Sequence, residues 1–357
     1  MWTPMGTLRR SLLLSLILPV AASRADLRVG VLSDLNGTEC QPNYPSTSLG
    51  VLRSLLNEAP FDHVFLPGDL VHGECLRFRG NDYAGVVSRM WLEFERRFFL
   101  PLRKLASVAV APGNHDAPDV TAASRETFRL ENAGFERFWN EREPALGVER
   151  LRVPGVEDRY PYYWAYRVRD ALFVVLRSTR THRLSEGERQ KAWLKGLLNS
   201  PLARAARFRV VYGHVPPYPV LDPSVGSKYS AVLDREQVGR PDGLVDLLMD
   251  ARVDLLVAGH SHAPYPGRLV RKSDGRELKI LSLPCAHSPR KLYGQARVSP
   301  RGFAILNFRD DGTIQMSVVR GADGLAMPLS SFPASIDVRS PLVRYERVSD
   351  GIYRPEL

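Results

Sequence analysis

Five short clusters of polar residues carry the groups in this chain that could do chemistry. The densest is Pro112-Gly113-Asn114-His115-Asp116, where an amide, an imidazole and a carboxylate follow a glycine-containing turn. The others are Ser33-Asp34-Leu35-Asn36, Gly68-Asp69-Leu70-Val71-His72, Gly213-His214 and Gly259-His260-Ser261-His262. Their side chains offer oxygen and nitrogen donors, which hold divalent metal ions and, in histidine, move protons near neutral pH. Singly, each has a plainer reading. An aspartate behind a strand is usually a helix cap or turn residue, an asparagine a turn former, a histidine a satisfied loop residue. What sets the five apart is that each stands directly behind an apolar run.

Those runs are the elements that must position the clusters. Leu27–Leu32, His63–Leu66, Val108–Ala111, Val210–Tyr212 and Val253–Ala258 read as short buried strands. Between the first two lies a helical pattern, Leu49–Glu58, so the unit is βαβ and its strands should be parallel. Their exit loops then open on one edge, the carboxyl edge, where open α/β sheets bind ligands. Further helical patterns span Tyr83–Leu105 (broken at Pro101), Ser124–Arg142 and Asp242–Asp250, and a capping box at Ser185–Glu188 opens another that ends near Leu198. Residues 144–161 read as a loop-rich insertion. Strands then follow at Tyr163–Arg167, Leu172–Leu176, Leu278–Leu283, Phe303–Phe308 and Ile314–Val319, the last two joined by an Asp311-Gly312 hairpin turn. Two sets of strands flanked by helices predict an α/β fold with a two-sheet β-sandwich in one domain, residues 26–320. The tail, 321–357, has no pattern that places it. Tyr160, Tyr162, Tyr163, Trp164 and Tyr218 could line a cleft, and the middle three could equally be strand packing.

Residues 1–25 stand outside this domain. Arg9-Arg10, an apolar run from Ser11 to Ala22 and small residues at Ser23 and Ala25 read as a secretory signal peptide, with the run too short to span a bilayer. Export to a periplasmic or secreted location, with no membrane span in the mature chain, is the expectation. The remainder, 44% hydrophobic and 25% charged over the whole chain, is ordinary for a globular protein with a sizeable core. The net charge is +10, to which Arg9, Arg10 and Arg24 contribute, and the arginines are spread without dense tracts, so there is no strong nucleic-acid footprint. None of Cys40, Cys75 and Cys285 forms a C-x-x-C pair, which argues against a thiolate zinc site. Cys40 follows the first strand and Cys75 the second. If those strands are neighbours, a Cys40–Cys75 disulfide is expected, leaving Cys285 as a free thiol or alternative partner.

Asp, Asp, Asn-His-Asp, His and His-x-His, in that order behind apolar runs, resemble the calcineurin-like metallophosphoesterase family, which includes the purple acid phosphatases. The resemblance covers roughly Leu27 to Val319 and implies an αββα four-layer fold that hydrolyses phosphate esters with two metal ions. On the family pattern Asp69 bridges the ions. Asp34 and His262 bind the first, and Asn114, His214 and His260 bind the second. His115 matches the histidine that contacts phosphate and protonates the leaving group, and Asp116 would hold its imidazole in orientation. The nucleophile is then a hydroxide held between the ions. An all-nitrogen-and-oxygen set suits divalent or mixed-valence Mn, Fe, Zn or Ni, and ligand type does not choose among them.

The first motif departs from that pattern. Most members have Asp-x-His, and here the position is Asn36. Purple acid phosphatases also lack that histidine and place a metal-binding tyrosine three residues beyond the bridging aspartate, where this chain has His72. Imidazole is the better ligand for these metals, so His72 is the expected principal replacement, with Asn36 weaker. The reading is an exported phosphoesterase for a small phosphorylated substrate, with monoesters favoured. Phosphodiesterase or nuclease activity is the enzymatic alternative. A non-catalytic binding module is the other, supported by Asn36 and opposed by the His115-Asp116 pair.

Overall fold

In the computed structural model, which describes residues 26–36, 40–75, 78, 80, 82–120, 125–179, 184, 186–222, 243–338, 340 and 342–353, two mixed sheets pack face to face. The signal-peptide reading and Ser185 of the capping box lie outside the described residues. The first sheet has the order β12-β11-β1-β2-β3, with β1 at Leu27–Val31, β2 at His63–Pro67, β3 at Ser107–Ala111, β11 at Gly302–Phe308 and β12 at Ile314–Arg320. The strands β1, β2 and β3 are parallel to one another, as a βαβ reading requires, and β11 joins β1 antiparallel.

The second sheet contains β4 (Glu149–Arg150), β5 (Trp164–Val168), β6 (Ala171–Val175), β7 (Phe208–Gly213), β8 (Leu255–Ala258), β9 (Tyr265–Arg271), β10 (Glu277–Ser282), β13 (Ser335–Ile336) and β14 (Val343–Arg347). Its order is β13-β14-β9-β10-β8-β7-β6-β5-β4, with β6, β7, β8 and β10 parallel. Aromatic side chains interlock between the sheets. Phe65 of β2 meets Phe173 and Tyr212 with ring centroids 5.9 and 4.4 Å apart, a spacing that adds to the burial of such large apolar groups.

Helices cover the outer faces. Ser46–Asn57 connects β1 to β2, burying Val51, Leu52 and Leu55. The connection from β2 to β3 begins as the helix Tyr83–Phe94, widens into a π-turn at Glu95–Phe99 and tightens again at Leu100–Arg103. Pro101 does not end this helix. It sits in the first turn of the last piece, where its missing N–H costs little, and the widened turn before it takes up the mismatch. The helix Glu126–Arg142 packs on it, with Trp91 against Phe138 at 4.7 Å.

The structure adds strands that the sequence pattern hid. Pro266 and Gly267 disguise β9, yet it pairs antiparallel with both β10 and β14. The stretch after Gly321 carries β13 and β14 onto the edge of the second sheet, and its buried Tyr353 accepts from Val318 N–H and donates to the Met327 carbonyl. Tyr163, Trp164 and Tyr218 are buried in the core. Tyr162 does border a cavity of about 610 Å³, lined by Arg129, Arg159, Arg177 and Arg189 among others and reaching Asp119, three residues past the Pro112–Asp116 cluster. Cys40 and Cys75 are disulfide-bonded, and Cys285 is buried and free. Among the described residues no helix is long and apolar enough to cross a membrane.

Candidate metal centre

The exits of β1, β2, β3, β7 and β8 converge, and the backbone there is bent in unusual ways. Asp34, Asp69, His260 and His262 all have φ between 55° and 61°, the left-handed region that side chains with a Cβ rarely adopt. Such strain persists where surrounding contacts over-determine it, and it clusters at functional sites. Leu35 and Asn36 N–H both donate to the Asp69 carbonyl, at 2.8 and 3.3 Å, and His260 N–H donates to the Asp34 carboxylate at 3.1 Å. Glycine makes the crossing possible at two points. A Cβ on Gly113 would lie 2.1 Å from Asp69 N, and one on Gly68 (φ 84°) would lie 2.6 Å from Gly113 Cα.

Asp34, Asp69 and His262, all buried, each offer one ligand atom within 4.8 Å of the others. His262 Nε2 is 3.0 Å from Asp34 Oδ1, and His214 Nε2 is 3.1 Å from Asp69 Oδ2 without hydrogen-bond geometry. The far sides of both rings are tied down, with His214 Nδ1 at 2.8 Å from the Pro67 carbonyl and His262 Nδ1 at 2.6 Å from the Ser288 carbonyl. A carbonyl can only accept, so each Nδ1 carries the hydrogen and each Nε2 is turned to a carboxylate. That is how metal-binding histidines are oriented by their outer partners. Each Nε2 then meets a carboxylate oxygen so closely that a positive charge, carried by a proton or a metal ion, is needed to hold the two together. Without a metal, a proton fills that role at His214. Burial pushes the His214 pKa down, but Asp69 and Asp34 raise it to about 9. Burial would likewise raise the two aspartates, yet His262 holds Asp34 below its usual range and His214 holds Asp69 well below. A buried set of carboxylates and oriented imidazoles fits divalent ions.

Asn114, His115 and His260 join the same patch. Asn114 Oδ1 is 3.0 Å from His260 Nδ1, its Nδ2 donates to Glu74 Oε2 at 3.0 Å, and the His260 and His214 rings lie 5.2 Å apart. His115 N–H donates to Asp69 Oδ1 at 3.0 Å, while its Nδ1 lies 3.2 Å from the Gly73 carbonyl. The expectation that Asp116 orients His115 does not hold. Asp116 accepts from Leu70, Val71 and Gly113 N–H, at 2.7, 2.9 and 3.0 Å, and so clamps the β2 exit loop to the β3 exit loop. Consecutive turn residues point different ways, and the carboxylate went to orphan amides instead of the adjacent ring. Burial and the nearby Asp69 push its pKa up to about 7, against the pull of those amides.

His72, expected to replace the first-motif histidine, lies beside His115. Its ring packs edge-on against His115 at 4.8 Å and it is not in the Asp34–Asp69–His262 trio. Asn36 behaves otherwise: it is 4% exposed and its Oδ1 has no hydrogen-bond partner. Two residues at the site went unnoticed in the sequence. Glu74 lies 3.7 Å from His115 Nδ1. His287 is close enough to His72, Arg301 and His262 that, after burial, their charges lower its pKa. A signal for His287 existed, since it follows the apolar run Leu278–Leu283.

The chain is similar in fold to the purple acid phosphatase PPD1 from yellow lupin (Lupinus luteus) seeds, with a TM-score of 0.59 and 16% identity. That match covers 85% of this chain and 53% of the lupin chain, so this protein spans about half of its neighbour's length. GAP50, the anchor in the inner membrane complex of Plasmodium, matches with a TM-score of 0.44 and 12% identity over 93% of this chain and 92% of that one. A search of curated proteins finds no match. The sequence profile described as calcineurin-like phosphoesterase matches residues 27–264, a span that takes in all five clusters. With a two-sheet sandwich that gathers those clusters on one rim, the chain belongs to the calcineurin-like phosphoesterase family.

Proposed function

We propose that the chain is an exported phosphoesterase that depends on two divalent transition-metal ions and prefers small phosphate monoesters. The carrying observation is the pairing of Asp34 and Asp69 with the inward Nε2 atoms of His262 and His214, at 3.0 and 3.1 Å. When bound, two ions supply charge neutralisation at the phosphoryl oxygens and a water acidic enough to ionise near neutral pH. The protein's part is to orient those ligands and to manage a proton. Asp69, 3.1 Å from His214 and bound by the His115 amide, would be the carboxylate shared by both ions. His115 turns Nδ1 to the Gly73 carbonyl and leaves Nε2 3.9 Å from Asp69 Oδ2. Burial lowers its pKa, but without metal Asp69 and Glu74 raise it further. Glu74, 3.7 Å from Nδ1 and outside the ligand set, would still favour the protonated ring that a leaving oxygen needs when Asp69 is bound to the ions.

Export is supported by the basic and apolar pattern of residues 1–25 and by the Cys40–Cys75 bond, since disulfides persist in oxidising compartments. The monoester preference rests on that location, where organic phosphates are scavenged, and on the lupin neighbour, which is named an acid phosphatase. The test is metal analysis of purified protein beside p-nitrophenyl phosphate and bis-p-nitrophenyl phosphate assays with Mn, Fe, Zn and Ni. Faster turnover of the monoester is expected. Faster turnover of the diester makes the chain a phosphodiesterase, and bound metal without hydrolysis of either makes it a binding module.

A further inference from the structure

We propose that Asn36 supplies, through Oδ1, the remaining protein ligand of the ion held by Asp34, Asp69 and His262, and that this oxygen biases the position toward Mn²⁺ over Zn²⁺. The inference rests on the metal-dependent reading above and assigns a residue that departs from its family's pattern. Asn36 is buried, and its Oδ1 has no hydrogen-bond partner among the described residues. A buried amide oxygen left unsatisfied forfeits its full hydration, and the great majority of such groups in folded proteins find a partner. The main chain that carries it is also held at the site. Asn36 N–H donates to the Asp69 carbonyl, and the next ligand back along the chain, Asp34, is only two residues away.

The rival for this role is His72, whose ring lies against His115, outside the trio. The two positions then differ in chemistry. The first presents three oxygens, from Asp34, Asp69 and Asn36, and one nitrogen, from His262. The second presents two oxygens, from Asp69 and Asn114, and two nitrogens, from His214 and His260. Carboxylate and carbonyl oxygens suit Mn²⁺, and imidazole suits Zn²⁺; zinc binds more tightly at most such sites, so the difference should show as manganese holding out against zinc better at the first position than at the second.

Equilibrium dialysis of the full chain against Mn²⁺, Zn²⁺ and an equimolar mixture, with bound metal counted by mass spectrometry, tests this without any activity reading. Wild-type protein should take up two equivalents of Mn²⁺ alone, and from the mixture should retain manganese at one position in preference to the other. Asn36→Ala should weaken one Mn²⁺ equivalent by about 10-fold or more and leave the other unchanged. Asn36→His should keep two equivalents and shift the mixed pool toward zinc at that position by about 10-fold. His72→Ala should change neither count nor preference. Should Asn36→Ala fail to fold, Asn36→His and Asn36→Asp carry the test, and an unchanged Mn-to-Zn ratio in both overturns the assignment. Two wild-type-affinity equivalents in Asn36→Ala, or loss of one in His72→Ala, overturns it as well, with metal dependence intact. A wild-type chain that binds no metal overturns the metal-dependent reading and this inference with it.

Discussion

At its amino end, β2 begins with His63, which is fully buried and has partners on both ring nitrogens. Nδ1 lies 2.8 Å from Ser107 Oγ, and Nε2 lies 2.8 Å from the Tyr166 hydroxyl, which is itself 3.1 Å from the Tyr212 hydroxyl. Just past the strand's carboxyl end the pattern is different. His214 is equally buried, but only its Nδ1 has a neutral acceptor, and Nε2 is pressed toward Asp69. Asn36 Oδ1, nearby in the chain's fold, has no hydrogen-bond partner. Buried imidazole alone therefore says little about function. What separates the two ends is whether the protein supplies every partner itself, and at the carboxyl end it leaves ligand atoms facing carboxylates.

The largest effect should come from breaking the carboxyl end. Asp69→Asn removes the central charge, and loss of several kcal/mol of transition-state stabilisation predicts a fall in p-nitrophenyl phosphate turnover on the order of 10³-fold. Added metal should raise the melting temperature of wild-type protein and not that of the variant, because binding to the folded state is what stabilises. A metal-induced shift equal to wild type in Asp69→Asn would remove Asp69 from the metal site. His115→Ala is the next test. Its turnover should fall by about 10²–10⁴-fold while two metal equivalents stay bound. Metal lost in step with activity would make His115 a ligand.

The smallest effect is expected at the amino end. His63→Phe removes two hydrogen bonds whose other members keep further partners, so stability should fall by roughly 1–2 kcal/mol with turnover and metal content unchanged. The pH response sharpens the contrast. Burial above all, with Arg103 adding to it and the Ser107 bond opposing, lowers the His63 pKa to about 3. Between its unfolded value near 6.5 and that folded value, the unfolded chain binds a proton that the fold refuses. Stability therefore falls as pH drops through this window, by roughly 1.4 kcal/mol per unit. Urea melts at pH 6.5 and 5 should show this loss in wild type, and a smaller one in His63→Phe. Equal losses in both would show that His63 is protonated in the fold.

Much of the site was legible because its residues follow short apolar strands, and parallel strands deliver their exit loops to one edge. Asp34, Asp69, Asn114, His115, His214, His260 and His262 could be found that way, although their roles came only from the family resemblance. Asp116 could not be read correctly, because adjacency in a turn does not imply contact, and its acceptors are taken by amides from the Asp69 loop. Nor could Glu74 be found. No local pattern marks it, and its position depends on a loop that Glu131 supports through Cys75 N–H and Tyr83. The two-sheet fold was legible from strand grouping. The strand β9 was not, since Pro266 and Gly267 are strand-breaking by propensity and only pairing on both sides overrides them.

The place of β1 in the first sheet has a consequence for the order of events during synthesis. It lies between β2, made shortly afterwards, and β11, which pairs with it from Leu27↔Phe308 to Val31↔Ala304. The ribosome must therefore have released most of the chain before that central strand gains its second neighbour. Asp34 leaves β1 directly, and its partner His262 comes from the opposite sheet. So distant a pairing is closed late and slowly. An ion that needs both Asp34 and His262 would therefore be held only once the two sheets have met.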